Sequence, residues 1–296
     1  MDLSVGGEWR NGSKEIDGKI LPVGRCEKES VLMKYKLVAA DMDGTLLNSR
    51  GEITEATAEE IRKLAEKDVV FTISTGRPIQ GVEKYKELLG LTGPIITYNG
   101  AMIVNAKDNK VLFEQGLLRE DARKIWELGQ KYNTTMCIWA GNQLYGNRLD
   151  EKIHDYKKLS GVEPVLAEDI EMLLDIGVTK ILWYDEEEQI EVFLTQLSRE
   201  MFCEVTYCTS KPTFLEFFNS KVSKAVAMEK IGGLLGITQE EMIAIGDGLN
   251  DLSMIQYAGL GVAMGNAAKE VKENAQFVTA TNDDEGVKKV LAKFFT

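Results

Sequence analysis

Five short apolar runs limit this chain more than any other feature: 36–40, 69–73, 95–98, 242–245 and 260–263 each read as a buried strand. Between them lie stripes at the helical period, Ile61, Leu64 and Ala65 in one and Ala227, Met228, Ile231, Leu234 and Leu235 in another. Strands alternating with amphipathic helices predict an α/β fold with a parallel sheet. In such sheets ligands sit beyond the carboxyl ends of the strands, so chemistry is expected just after each run.

From about Gly116 to about Leu215 the texture changes. A helix over 121–132 carries Ala122, Ile125, Trp126 and Tyr132, and one over 190–201 carries Ile190, Phe193, Leu194, Leu197 and Met201. The strand-like stretches 134–139 and 179–184 alternate more and include aromatics. This predicts a separate α+β unit, 117–215, inserted into a domain formed by 33–116 and 216–296. Trp126 and Phe193 lie on helical stripes and read as core. Residues 1–32 are polar and Gly-rich, with no apolar core of a secretory signal. They read as a leader, disordered or a non-native extension, with Met33 as the natural start.

A formal net charge of −12 over 296 residues argues against nucleic acid as a partner, since phosphate backbones need a basic face. It leaves room for a small phosphorylated molecule, because one lysine and a bound cation reverse a local field. No apolar run approaches the ~20 residues of a membrane span. Cys26, Cys137, Cys203 and Cys208 form no CxxC pair, and the single histidine, His154, completes no zinc set with them. Reduced thiols in a cytoplasmic protein are expected.

Four strand ends carry polar clusters. The first is Asp41-Met42-Asp43-Gly44-Thr45. Residues i and i+2 of an extended segment face the same way, so two carboxylates share one side and repel unless a cation or a proton intervenes. Mg²⁺, a hard cation that prefers oxygen, is the natural guest, and Gly44 allows the turn that brings backbone N–H groups toward an anion. An EF-hand would want a carboxylate or amide at Thr45 and glycine at Leu46, after a helix, and both conditions fail. The second cluster, Ser74-Thr75-Gly76-Arg77-Pro78, offers a hydroxyl and free N–H groups at a helix start, with Thr75 as its expected cap. The third is Lys224, at a helix N-terminus where the dipole favours anions instead. The fourth is Gly246-Asp247-Gly248-Leu249-Asn250-Asp251. Taken singly, each is also compatible with a solvated turn or an ordinary helix start.

In this order, each after a strand, the four resemble the haloacid-dehalogenase superfamily, its Cof-type branch, and within that the YidA-like sugar phosphatases. The segments Ile96-Thr97-Tyr98-Asn99-Gly100-Ala101 and Gly261-Val262-Ala263-Met264-Gly265-Asn266-Ala267 are similar to that branch as well. The resemblance runs from about Met33 to the C-terminus. It implies a Rossmann-like parallel-sheet core, with 117–215 as a type C2 cap. Asp41 would be the nucleophile and a Mg²⁺ ligand, and Asp43 the general acid/base, binding the metal through its carbonyl. Asp247 would be a further ligand. Phosphate would be held by the Met42 backbone, Thr75, Gly76, Lys224 and Asn250, with Gly44, Thr45 and Asp251 in support.

A carboxylate nucleophile suits phosphate monoesters because the acyl phosphate it forms is labile to water. Mg²⁺ and Lys224 would offset the charge repulsion between ester and nucleophile. Arg77, Trp139, Asn142, Tyr145, Arg148 and His154 are candidates for contacting the leaving group, against a plainer reading of Trp139 as core and His154 as a solvated helix residue. The expected partner is a small phosphorylated metabolite, a sugar phosphate first, and the expected state a monomer or small homo-oligomer. A phosphotransferase or phosphomutase would use the same nucleophile, and a sugar-phosphate-binding regulator would bind without turnover. A dehalogenase would not need Asp43 and Asp247.

Overall fold

The computed structural model describes Trp9–Arg10, Ser13–Ile16, Lys19–Pro22 and residues 34–295. The first three segments pair antiparallel as a small sheet of their own. The rest of the 1–32 leader, where disorder is expected, lies outside the described residues.

Residues 34–295 hold a five-stranded parallel sheet in the order Phe277–Val278, Leu260–Ala263, Met242–Gly246, Leu37–Ala40, Val70–Ile73. Every residue of Leu37–Ala40 and Met242–Gly246 is buried, which is why both read as unbroken apolar runs rather than alternating ones. From Leu37–Ala40 the chain crosses through helix Glu55–Ala65 to Val70–Ile73 on one side, whereas Met242–Gly246 pairs on the other. Strand order reverses there. The crevice at the carboxyl ends of Leu37–Ala40 and Met242–Gly246 is therefore a topological switch point.

The expected parallel strand at 95–98 departs from this plan. Pro94–Thr97 instead leads an antiparallel sheet with Met102–Asn105 and Val111–Glu114, and reaches the parallel sheet through a bridge between Ser74 and Ile96. The cause is local. Tyr98 and Asn99 take left-handed φ of 50° and 56°, and Gly100 a φ of 100°, so the chain doubles back at once. A Cβ at Gly100 would stand 2.2 Å from the Ser223 carbonyl oxygen, so only glycine lets this turn pack on the start of helix Lys224–Leu235.

That helix buries Ala227, Met228 and Ile231 against Leu37, Ala39, Met242 and Ala244. Leu234 and Leu235, expected on the same stripe, are exposed at 60% and 43%. The chain reverses at left-handed Gly236, the Ile237 N–H returns to the Gly232 carbonyl, and Ile237 packs on the cluster in their place. Ala65 is likewise exposed in the last turn of Glu55–Ala65, while Ile61 and Leu64 are buried.

The second sheet has six strands, ordered Val165–Leu166, Gln143–Gly146, Thr135–Ala140, Val178–Tyr184, Phe214–Asn219, Val205–Lys211. Its pairs are antiparallel except that between Gln143–Gly146 and Val165–Leu166. Alternation gives it two distinct faces. Met136, Ile138, Ile181, Trp183, Leu215 and Phe217 face helices Arg119–Lys131 and Glu187–Leu197, joining Ile125, Trp126 and Phe193 in one cluster. Met201 lies past the end of the second helix and is 86% exposed. Trp139, Lys180, Leu182, Phe214 and Glu216 share the opposite face, where Tyr156 of helix Glu151–Ser160 packs on Trp139 and Phe214.

Candidate active site

Asp41 follows strand Leu37–Ala40, and its N–H continues the ladder to the Ile245 carbonyl at 2.8 Å. Its carboxylate is thereby fixed at the switch point. Oδ1 accepts from Lys224 Nζ at 2.5 Å, and the same ammonium donates to Asp251 Oδ1 at 2.6 Å and to the Ser74 carbonyl at 2.8 Å. All three donors of this fully buried lysine are used. The helix dipole costs a cation at this end ~0.3–1 kcal/mol, whereas each hydrogen bond to a charged group is worth ~1.5–3 kcal/mol. The carboxylates win, which accounts for a lysine at the first helical position.

Asp251 is fixed just as tightly. Its Oδ2 accepts from the N–H groups of Asp247 and Gly248, each at 2.9 Å, and so shapes the loop that presents Asp247. Asp247 Oδ1 accepts from Thr45 Oγ1 at 2.6 Å. Gly44 is needed beneath it: φ is +83°, and a Cβ would fall 2.3 Å from Asp247 Oδ2. Thr75 does not cap a helix as expected. Its Oγ1 accepts from the Arg77 N–H at 3.1 Å, which tightens a local turn, and helix Glu83–Leu89 begins only after a 3₁₀ turn at Ile79–Gly81.

Asp43 takes no part in the Asp41–Lys224–Asp251 knot through its side chain. Its exposed carboxylate is gripped by both edges of Arg77, Nε to Oδ2 at 2.8 Å and Nη2 to Oδ1 at 2.5 Å. Asn250 Nδ2 donates to Asn99 Oδ1 at 3.1 Å. Asn99 is a residue the sequence reading quoted but gave no role. An Asn-Gly pair directly after an apolar run was the available signal, since Asn tolerates the left-handed conformation.

Burial first, and then the neighbouring Asp251, push the Asp41 carboxyl up to about 8, with Lys224 offsetting only part of this. Burial also raises Asp247. Lys224 stays above the usual lysine range because Asp251 and Asp41 outweigh its own desolvation. Carboxylate oxygens of Asp41, Asp247 and Asp251 lie within 4.8 Å of one another. Three acids against one ammonium leave an excess of negative charge on hard oxygen donors, a set that fits Mg²⁺. Asp43 stands outside this trio by its side chain, so it would join only through its main-chain carbonyl.

A cavity of about 380 Å³ opens over these groups. Around the parallel sheet its wall is made by Asp41, Asp43, Thr75, Gly76, Arg77, Asn99, Asn250 and Asp251. Met42, Thr45 and Lys224 are buried rather than part of the wall. The wall from the six-stranded sheet and helix Glu151–Ser160 includes Tyr156, Lys180, Ser210, Phe214 and Glu216. Of the six leaving-group candidates, Arg77 lines the cavity and the other five do not. Trp139 is fully buried, donating to the Tyr156 hydroxyl at 3.1 Å. Tyr145 pairs with Ile138 and so falls on the helix-covered face. Arg148 donates to Asn133 Oδ1 at 3.0 Å, and His154 is an exposed helix residue. Asn142 accepts from Tyr98 and Gln80 instead. The overlooked signal was a single lysine in the apolar run of Val178–Tyr184 and a single glutamate in that of Phe214–Asn219.

The sequence pattern of the haloacid dehalogenase-like hydrolases matches residues 38–291. The 5-amino-6-(5-phospho-D-ribitylamino)uracil phosphatase YcsE of Bacillus subtilis (strain 168) is 37% identical over 257 residues, covering 86% of this chain and 94% of that protein. An HMP-PP phosphatase of Yersinia pseudotuberculosis is 29% identical over 239 residues, covering 81% and 87%. The crystal structure of a haloacid dehalogenase-like hydrolase from Bacteroides thetaiotaomicron superposes with a TM-score of 0.80 at 31% identity, covering 88% of this chain and 100% of that one. A match that spans most of the chain, over a parallel sheet whose strand ends carry the acids and the buried lysine, means that the chain belongs to the haloacid dehalogenase-like hydrolases, as an enzyme of their phosphatase kind.

Proposed function

We propose that the protein hydrolyses phosphate monoesters of small hydroxylated metabolites, sugar phosphates foremost, with Mg²⁺ and through an aspartyl-phosphate at Asp41. The observation that carries this reading is the buried Asp41–Lys224–Asp251 knot at the switch point, with Asp247 beside it and a cavity above. Asp41, Asp247 and the Asp43 carbonyl would hold Mg²⁺, which when bound supplies Lewis-acid charge to a phosphoryl oxygen. Lys224 holds Asp41 in place and adds positive charge beside the transferring group. The Met42 backbone, Thr75, Gly76 and Asn250 cradle the remaining oxygens.

Asp43 must protonate the leaving oxygen and then accept a proton from water, help typically worth ~10²–10⁴-fold. In the structure Arg77 holds its carboxylate at the cavity wall and fixes its direction. Residues 117–215 act as a cap that excludes water and recognises the leaving group, in a cytoplasmic monomer or small homo-oligomer. Phosphate release over a metabolite panel, with Mg²⁺ and with chelator, tests the activity. Asp41→Asn is expected to lower turnover at least ~10³-fold in a variant that still folds cooperatively. Retained turnover in that variant would remove Asp41 as nucleophile.

A further inference from the structure

The cavity wall opposite the strand-end acids carries an ion pair that the chemistry above does not use. Lys180 Nζ lies 2.9 Å from Glu216 Oε2, with side-chain exposures of 4% and 8%. Ser210 Oγ donates to the other Glu216 oxygen at 2.6 Å. A pair this deep is a poor source of stability, because apolar replacements of similar volume are often neutral or better. Resting on the hydrolase reading, we infer that Lys180, Glu216, Ser210 and Tyr156 form the leaving-group subsite, and that it selects an uncharged polyhydroxylated chain or sugar.

Three observations lead there. The first is placement. Lys180 and Glu216 share the cavity face of the sheet, and the register shift between Thr209 and Lys211 opposite Phe214 brings Ser210 to the same wall. The second is hydrogen-bonding capacity. An ammonium has three donors, and among the described residues Glu216 is the one acceptor bonded to Lys180. Tyr156 accepts from Trp139, which leaves its own O–H to donate. Glu216 keeps lone pairs on both oxygens beyond those engaged by Lys180 and Ser210. Unused donors beside unused acceptors match hydroxyl groups, each of which gives one hydrogen bond and takes others.

The third observation is charge. Lys180 and Glu216 neutralise each other, so this pair has no surplus for a second phosphate. Lys211, also on the wall, lies over the Phe214 ring at 5.2 Å. Phe214 and Tyr156 add apolar ring faces suited to the C–H edges of a sugar or polyol.

The test compares two esters with the same carbon chain, ribitol 5-phosphate and pentyl phosphate, beside para-nitrophenyl phosphate as a general substrate. A site built to bond hydroxyls rejects the analogue that lacks them, so wild type should favour the ribitol ester by at least about 100-fold in kcat/KM. In K180M/E216M, which removes both charges together, that ratio should fall at least about tenfold, chiefly through KM for the ribitol ester. A wild-type ratio near one, or a ratio unchanged in a folded variant, overturns the subsite. If the variant does not fold, wild-type inhibition by free ribitol against 1,5-pentanediol decides: equal inhibition overturns the proposal, and preference for ribitol supports it. Release of phosphate from none of the three esters sinks the hydrolase reading itself, whereas turnover of the aryl ester without hydroxyl preference sinks only the subsite.

Discussion

Lys224 compensates two buried carboxylates at once, so its removal exposes what they cost. Breaking a buried pair by deleting one partner is typically worth ~3–5 kcal/mol. In Lys224→Met, Asp41 and Asp251 would face each other across an apolar side chain with Asp247 alongside. We expect a loss of at least ~3 kcal/mol by urea denaturation in chelator, a deficit that narrows when Mg²⁺ is added, because the cation is drawn to the uncompensated acids. A deficit insensitive to Mg²⁺ would show that the acids do not form a cation site. At this scale the candidate site residues were legible because chemistry forces unusual types into fixed places: acids after a buried strand, and a lysine at the wrong helix end. Trp139 and His154 take the plainer of their two readings, one as core and the other as an exposed helix residue. A rare side chain near polar neighbours carries no information about which face it takes, and Trp139 is buried at 0% exposure.

Elements were legible where period and burial agree. Leu37–Ala40 and Met242–Gly246 are buried throughout, and apolar runs reveal that directly. The strand expected at 95–98 is present as Pro94–Thr97, with a parallel bridge to Ser74 and an antiparallel partner, Met102–Asn105, that the apolar run alone does not announce. The Asn99-Gly100 pair signals the turn, whereas the left-handed Tyr98 before it is a conformation that no local pattern announces. The end of helix Lys224–Leu235 shows the same limit, since a leucine at the right spacing is core only while the helix still faces the sheet. This separates two substitutions on one stripe. Leu234→Glu should change stability by less than ~0.5 kcal/mol, as at an ordinary surface position. Ile231→Ala, fully buried between the helix and Met242, should cost ~2–5 kcal/mol. Equal losses in a denaturant series would mean that the helix end packs as the sequence stripe implies.

At the scale of the whole molecule, we expect the contacts between the six-stranded sheet and the strand-end loops to set how readily the cavity opens. The hairpin tip at Asn142 accepts from the Tyr98 hydroxyl at 2.8 Å and from Gln80 Nε2 at 2.7 Å, and Trp139 meets Tyr98 edge-on with ring centres 5.6 Å apart. Burial pushes the Tyr98 phenol above its usual range, so it stays a donor at any physiological pH. Two hydrogen bonds at ~1 kcal/mol and an aromatic pair of similar worth give ~3 kcal/mol in all, which would leave the opened form populated at roughly 1%. Tyr98→Phe removes one hydrogen bond and keeps the ring, so the opened fraction should rise about fivefold, the equivalent of ~1 kcal/mol. Trp139, fully buried where it meets Tyr98, should then be open to a solvent quencher in about five times as many molecules. KM should hardly move, because the closed fraction falls only from about 99% to about 95%, while kcat should rise if product release limits turnover. Acrylamide quenching of the Trp139 fluorescence reads the first effect and steady-state kinetics the second. An unchanged quenchable fraction would mean that the Asn142 contact does not hold the cavity shut.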